Sequence, residues 1–140
     1  MQRVEIQQRI AAPIETVWAH YTDYVGWTEW AGLGRVRIAR EGTPAPNGVG
    51  CVREVSNLGM KLVEEVLSFE PPRRMTYRVV RGAPIRDYLA EVVFDPCAGQ
   101  TLVTWRSQFN SRLPGLGGVM RVFIARLFRT ALRNLARRLS

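Results

Sequence analysis

Apolar and polar positions change period along this chain, and the changes mark its elements. Residues 3–10 alternate weakly, with Val4, Ile6 and Ile10 set against Arg3, Glu5 and Arg9. That pattern predicts an edge strand with one buried face. Ala12-Pro13 then opens a helix, since a proline in the first turn has no hydrogen bond to lose. Val17, Trp18 and Tyr21 give that helix an apolar face. A second short helical piece is predicted over Val25–Trp30, ended by Gly32 and Gly34.

The middle of the chain reads as strands separated by turns. Val36 and Ile38 mark one strand, and Gly50–Ser56, Met60–Phe69 and Arg74–Val80 mark three more. Tyr88–Phe94 alternates, with Tyr88, Ala90, Val92 and Phe94 on one face. Thr101–Phe109 does the same, with Val103, Trp105 and Phe109 opposite Thr104, Arg106 and Gln108. Short turns between consecutive strands predict an antiparallel meander.

After Pro114-Gly115-Leu116-Gly117-Gly118 the period becomes helical up to Leu139. The helix is roughly 33 Å long at about 1.5 Å per residue. Met120, Phe123, Ile124, Leu127, Phe128, Ala131 and Leu135 form one stripe, and Arg126, Arg129, Arg133 and Arg137 lie opposite. The elements therefore predict an α+β fold: a curved seven-stranded antiparallel sheet wrapped around a long C-terminal helix, with two short helices after the first strand. A twisted sheet needs one face covered, and only the last helix is long and apolar enough to cover it. A bent sheet and a straight helix do not fill space perfectly, which predicts a ligand cavity between them.

Composition narrows this picture. The 140 residues suit one domain, 1–140, with a full core. No apolar run approaches the ~18 residues of a membrane span, and the N-terminal segment is not of signal-peptide type. The expected location is cytoplasmic. Cys51 and Cys97 stand apart and read as reduced, small apolar residues. His20 is the only histidine, so no metal site is expected, and no cofactor is called for. The net charge is +8, and Lys61 is the only lysine. From Arg112 onward there are seven arginines and no acid. Such a stripe is commonly a solvated face; its alternative is an anionic partner, a membrane surface or an acidic macromolecule. No nucleic-acid-binding module is present, so nucleic acid is not expected as a partner.

Leu62, Tyr77, Tyr88, Val92, Phe94, Trp105 and Phe109 are the cavity-lining candidates on the sheet, and Ile124, Leu127, Phe128 and Ala131 face them from the helix. Taken singly, each is equally a core residue. Arg53 and Glu64 lie among apolar neighbours. They either point inward to orient a polar ligand group, or point to solvent, or form one structural pair. His20 and Asp23 read as helix-end residues, and no catalytic set is assigned.

Ile10-Ala11-Ala12-Pro13-Ile14-Glu15-Thr16-Val17-Trp18, then Thr22-Asp23 and Trp27–Trp30, resemble the opening of the START/Bet v 1-like superfamily, in its SRPBCC or polyketide cyclase/dehydrase branch. Gly48-Val49-Gly50-Cys51-Val52-Arg53-Glu54-Val55 is similar to that branch's G-x-G-x-x-R strand, and Glu70-Pro71-Pro72-Arg73-Arg74-Met75-Thr76-Tyr77 to its P-P-R-R turn. The resemblance covers essentially the whole chain and implies a helix-grip fold. It also implies binding or transport of a small hydrophobic molecule: lipid-like, polyketide-like or aromatic. Gly50–Phe109 also resembles the abscisic-acid receptor branch, but Ser56-Asn57-Leu58-Gly59-Met60 lacks the proline of that branch's gate, and no lysine stands where its acid anchor would be. Two alternatives come with the resemblance: an enzyme of cyclase/dehydratase type using Arg53, Glu64 or a tyrosine, and a module docking on a membrane or ribosome through the arginine-rich helix.

Overall fold

The computed structural model describes residues 1–57 and 59–140. Strand β1 (Gln2–Ile10) leads to helices α1 (Ile14–Thr22) and α2 (Trp27–Trp30). Six strands follow: β2 (Arg35–Arg40), β3 (Val52–Asn57), β4 (Met60–Glu70), β5 (Arg74–Arg81), β6 (Ile85–Cys97) and β7 (Gln100–Ser111). Helix α3 (Gly117–Arg138) ends the chain.

The sheet runs β1-β7-β6-β5-β4-β3-β2, antiparallel throughout. Strands β2 to β7 form the expected meander, and β1 adds to the free edge of β7. Because β1 and β2 lie at opposite edges, the α1–α2 connection must carry the chain across one face of the sheet. That face is the buried one: Val17, Trp18, Tyr21, Tyr24 and Trp27 all belong to the core. Register irregularities bend the sheet at Ile38/Arg40, Val63/Glu64, Val66/Ser68 and Arg86/Leu89, as bulges do.

The structure moves several predicted boundaries. Residues 24–26 form a turn rather than the start of a helix, so α2 is confined to Trp27–Trp30. Strand β6 extends from Ile85 to Cys97, through Pro96, which the sequence pattern assigns to a turn. Here Pro96 pairs with Thr101 alone, because β5 reaches only as far as Val93. Its missing N–H therefore faces no strand. Ala98 and Gly99, both at positive φ (51° and 80°), close this hairpin as a two-residue turn that matches the sheet's twist.

Helix α3 covers the sheet unevenly. It packs on β1 and, to a lesser extent, on β7 and α2. Its buried residues, Ile124, Phe128, Ala131, Leu132 and Leu135, begin only at its second turn. No helix among the described residues is long and apolar enough to cross a membrane.

Candidate functional site

Between the N-terminal half of α3 and strands β3–β6 lies a cavity of about 230 Å³. The inward faces of β3 and β4 build its floor in cross-strand pairs. Val55 opposes Leu62, and Asn57 opposes Met60. Tyr77 and Val79 line it from β5, and Ile85 and Tyr88 from β6. Trp105 stacks flat on Phe128, with ring centroids 4.0 Å apart and planes 10° apart, and this pair joins the sheet to the helix at the inner wall. Gly82 belongs to the rim, where a Cβ would come within 2.0 Å of the Lys61 carbonyl oxygen; its φ of 109° also suits glycine.

Glu64 is the one carboxylate of the described cavity wall, beside the phenols of Tyr77 and Tyr88. It stands directly opposite Arg53 across the β3–β4 pair, and Arg53 Nε donates to Glu64 Oε1 at 2.8 Å. The two are 0% and 8% exposed at the side chain. The Arg53 guanidinium carbon lies 4.4, 4.6 and 4.5 Å from the ring centroids of Tyr24, Trp27 and Tyr77, a three-sided cation–π cage. Its Nη1 and Nη2 groups are buried without a hydrogen-bond partner among the described residues. Burial alone pulls the guanidinium pKa down, but on balance it is raised, chiefly by the Glu64 charge, so Arg53 stays cationic.

Tyrosine hydroxyls complete the polar part of the site. Trp105 Nε1 donates to the Tyr77 hydroxyl at 3.0 Å, and the Tyr77 and Tyr88 hydroxyls lie 3.4 Å apart. Burial holds the hydroxyls of Tyr21, Tyr24, Tyr77 and Tyr88 above the ordinary tyrosine range, so all four remain protonated. The described residues contain no group of three or more metal-ligating side chains.

The sequence candidates divide into two sets. Leu62, Glu64, Tyr77, Tyr88, Trp105, Ile124, Leu127 and Phe128 line the cavity. Val92, Phe94, Phe109 and Ala131 are buried but lie outside its wall. Phe94 packs against Trp18 and Tyr21 of α1 (5.1 and 5.4 Å), which fills that end of the groove, and Phe109 stacks behind Tyr88 at 6.1 Å. Ala131 belongs to the half of α3 seated on the core. Arg53 is inward but sealed behind Glu64 rather than lining the wall. Sequence reasoning missed Trp27, Leu33, Val55, Val79 and the rim at Gly82–Ile85. Val55 shares the face of Arg53, so its place follows once the face of Arg53 is known. His20 Nδ1 lies 3.0 Å from the Thr16 carbonyl within α1, a helix-end contact away from the cavity. The gate-like segment Ser56–Met60 contains Leu58, which lies outside the described residues.

The sheet and the covering helix define a START-like helix-grip fold. The sequence model of the "polyketide cyclase / dehydrase and lipid transport" family matches residues 1–140, and the chain belongs to that family. Among solved structures it is similar to a START superfamily protein from Mycobacterium smegmatis (14% identity, TM-score 0.82, covering 98% of this chain and 96% of that one). It is also similar to a Thermobifida fusca protein (21%, 0.84, 99% and 93%) and to the protein XoxI from Bacillus cereus (16%, 0.83, 99% and 96%). At these identities the likeness establishes the fold. No curated protein sequence matches significantly.

Proposed function

We propose that this protein binds a small, largely apolar molecule in the cavity between α3 and strands β3–β6. The observation that carries this reading is the wall itself: tryptophan, tyrosine and aliphatic side chains around about 230 Å³, with one carboxylate at its inner end. A ligand hiding about 250 Å² of apolar surface gains roughly 6 kcal/mol before ordering costs. Dissociation constants in the micromolar to millimolar range follow. Native mass spectrometry of the purified protein should show a co-purified organic molecule. Val79→Trp, which fills the cavity from β5, should abolish its retention while leaving the circular dichroism spectrum unchanged. Equal retention by this variant would refute the cavity as the site.

Two observations support further readings of the same surface. Glu64, Tyr77 and Tyr88 converge on the cavity, the minimum that acid–base chemistry of cyclase/dehydratase type needs. Under that reading Glu64→Gln would abolish turnover of a bound polyketide-like substrate. The second observation concerns α3, where Val119, Val122 and Phe123 are 63%, 54% and 56% exposed on a helix that contains arginines and no acid, and Phe123 also lines the cavity. Apolar side chains among cations suit an anionic membrane from which a lipid-like ligand is collected. Arg129→Glu/Arg133→Glu should lower co-sedimentation with phosphatidylglycerol vesicles at least tenfold and leave ligand retention intact. Unchanged sedimentation removes the docking reading.

A further inference from the structure

The inner end of the cavity presents one sign of charge. Arg53 and Glu64 neutralise each other, but they are not equally available to a ligand. Three aromatic rings enclose the guanidinium, which is 0% exposed and absent from the wall. Its Nη groups make no hydrogen bond of ordinary length and angle to any described residue, and Nε–H is the donor it gives to a carboxylate. Glu64, by contrast, is on the wall. Its Oε1 is taken by Arg53, and Oε2 accepts no hydrogen bond from any described residue. A carboxylate in an ion pair is an acceptor only. The neighbouring Tyr77 hydroxyl already accepts from Trp105 and is shared with Tyr88.

A ligand that reaches this depth therefore meets a free, partly desolvated acceptor and no accessible cation. From this we infer that the ligand carries a neutral hydroxyl, a phenol or an alcohol, at its inner end, that it donates this hydroxyl to Glu64, and that the site excludes organic acids. This rests on the cavity-binding reading and specifies its ligand class. A ligand carboxylate would face the Glu64 carboxylate at low dielectric, with the compensating charge walled off behind it. A plain hydrocarbon would fill the same space but leave the acceptor dry, which costs binding energy. A hydroxyl does neither, and a hydrogen bond to a charged acceptor is among the stronger ones. The cage thus gives the buried arginine a selective role: it balances the acid without offering itself to an anionic ligand.

Three probes of one shape separate these cases: 2-naphthol, naphthalene and 2-naphthoate, titrated into the full chain and followed by amide chemical shifts. The expected order is naphthol tighter than naphthalene by about tenfold or more, with naphthoate weaker than naphthalene. In Arg53→Met/Glu64→Leu, apolar groups of similar volume replace the pair, a swap expected to retain the fold. That variant should bind naphthalene as before, lose the naphthol advantage and lose the discrimination against naphthoate. Naphthoate binding as tightly as naphthol in the unaltered chain overturns the hydroxyl assignment and leaves the cavity reading standing. A naphthol advantage that survives in the double variant does the same. Failure of all three probes to shift any cavity resonance overturns both. The comparison in the unaltered chain decides on its own if the variant does not fold.

Discussion

The two faces of the sheet carry the same kind of ion pair with different consequences. On the outer face, Glu5, Arg106, Glu91 and Arg74 form a row across β1, β7, β6 and β5. Arg106 and Arg74 are 49% and 41% exposed, and the row edges a shallow depression of about 590 Å³. On the inner face, Arg53 and Glu64 form a single pair with almost no exposure. Both use arginine and glutamate on adjacent strands. Outside, water and salt solvate each charge whether or not its partner is present. Inside, each charge depends on the other, because burial has removed its water. The outer depression is wider, yet its charged, open wall offers an apolar ligand little; the smaller inner cavity has the apolar wall.

The largest expected effect comes from splitting the inner pair. Glu64→Leu leaves the Arg53 cation buried and should cost about 3–5 kcal/mol in urea denaturation. Adding Arg53→Met should restore most of that loss. A double variant as unstable as the single one would show that the pair, rather than the orphaned charge, holds the fold. Next, Tyr77→Phe removes the acceptor for the Trp105 indole N–H and should cost about 1–3 kcal/mol. Near-zero change would mean that water replaces the hydroxyl there. The smallest effect belongs to the outer row. Glu91→Gln should change stability at neutral pH by about 0.5 kcal/mol or less.

The same residue makes a prediction about acid. The Arg74 hydrogen bond holds Glu91 below the usual carboxylate range, as Arg78 does for Glu65. A carboxylate whose folded pKa is depressed stabilises the fold above its unfolded value, about 4.3. That stabilisation is lost as pH falls from there through the folded value. The urea midpoint should therefore drop below about pH 4, less steeply in Glu91→Gln, and less again in about 0.5 M salt. A variant with the parental acid profile would exclude Glu91 as a contributor.

The architecture was legible because its elements obey their periods. The alternation over Tyr88–Phe94 and Thr101–Phe109 survives in the structure with the expected faces buried, and the stripe on α3 is buried at Ile124, Phe128, Ala131 and Leu135 but not at Met120 or Phe123. The site was only half legible, for two physical reasons. Apolar residues occupy both faces of β3, so Val52 and Arg53 could not be assigned to outside and inside by pattern. In β4 the bulge at Val63/Glu64 buries two consecutive residues, which no period of two predicts. The extent of the cavity was set by α1, which fills the groove over Phe94, and by where α3 makes its contacts. Both are tertiary facts about which the local sequence is silent.

Helix α3 begins without a side-chain cap and without an acid in its first turn, and none of residues 117–123 is buried. Its later turns are anchored, so the rod is clamped at one end only. The less anchored end is the one that lies over the cavity, and fraying its first two turns is expected to cost a small fraction of the energy of global unfolding. Hydrogen exchange should show this as a step in protection near Ile124, fast amides before it and slow ones after.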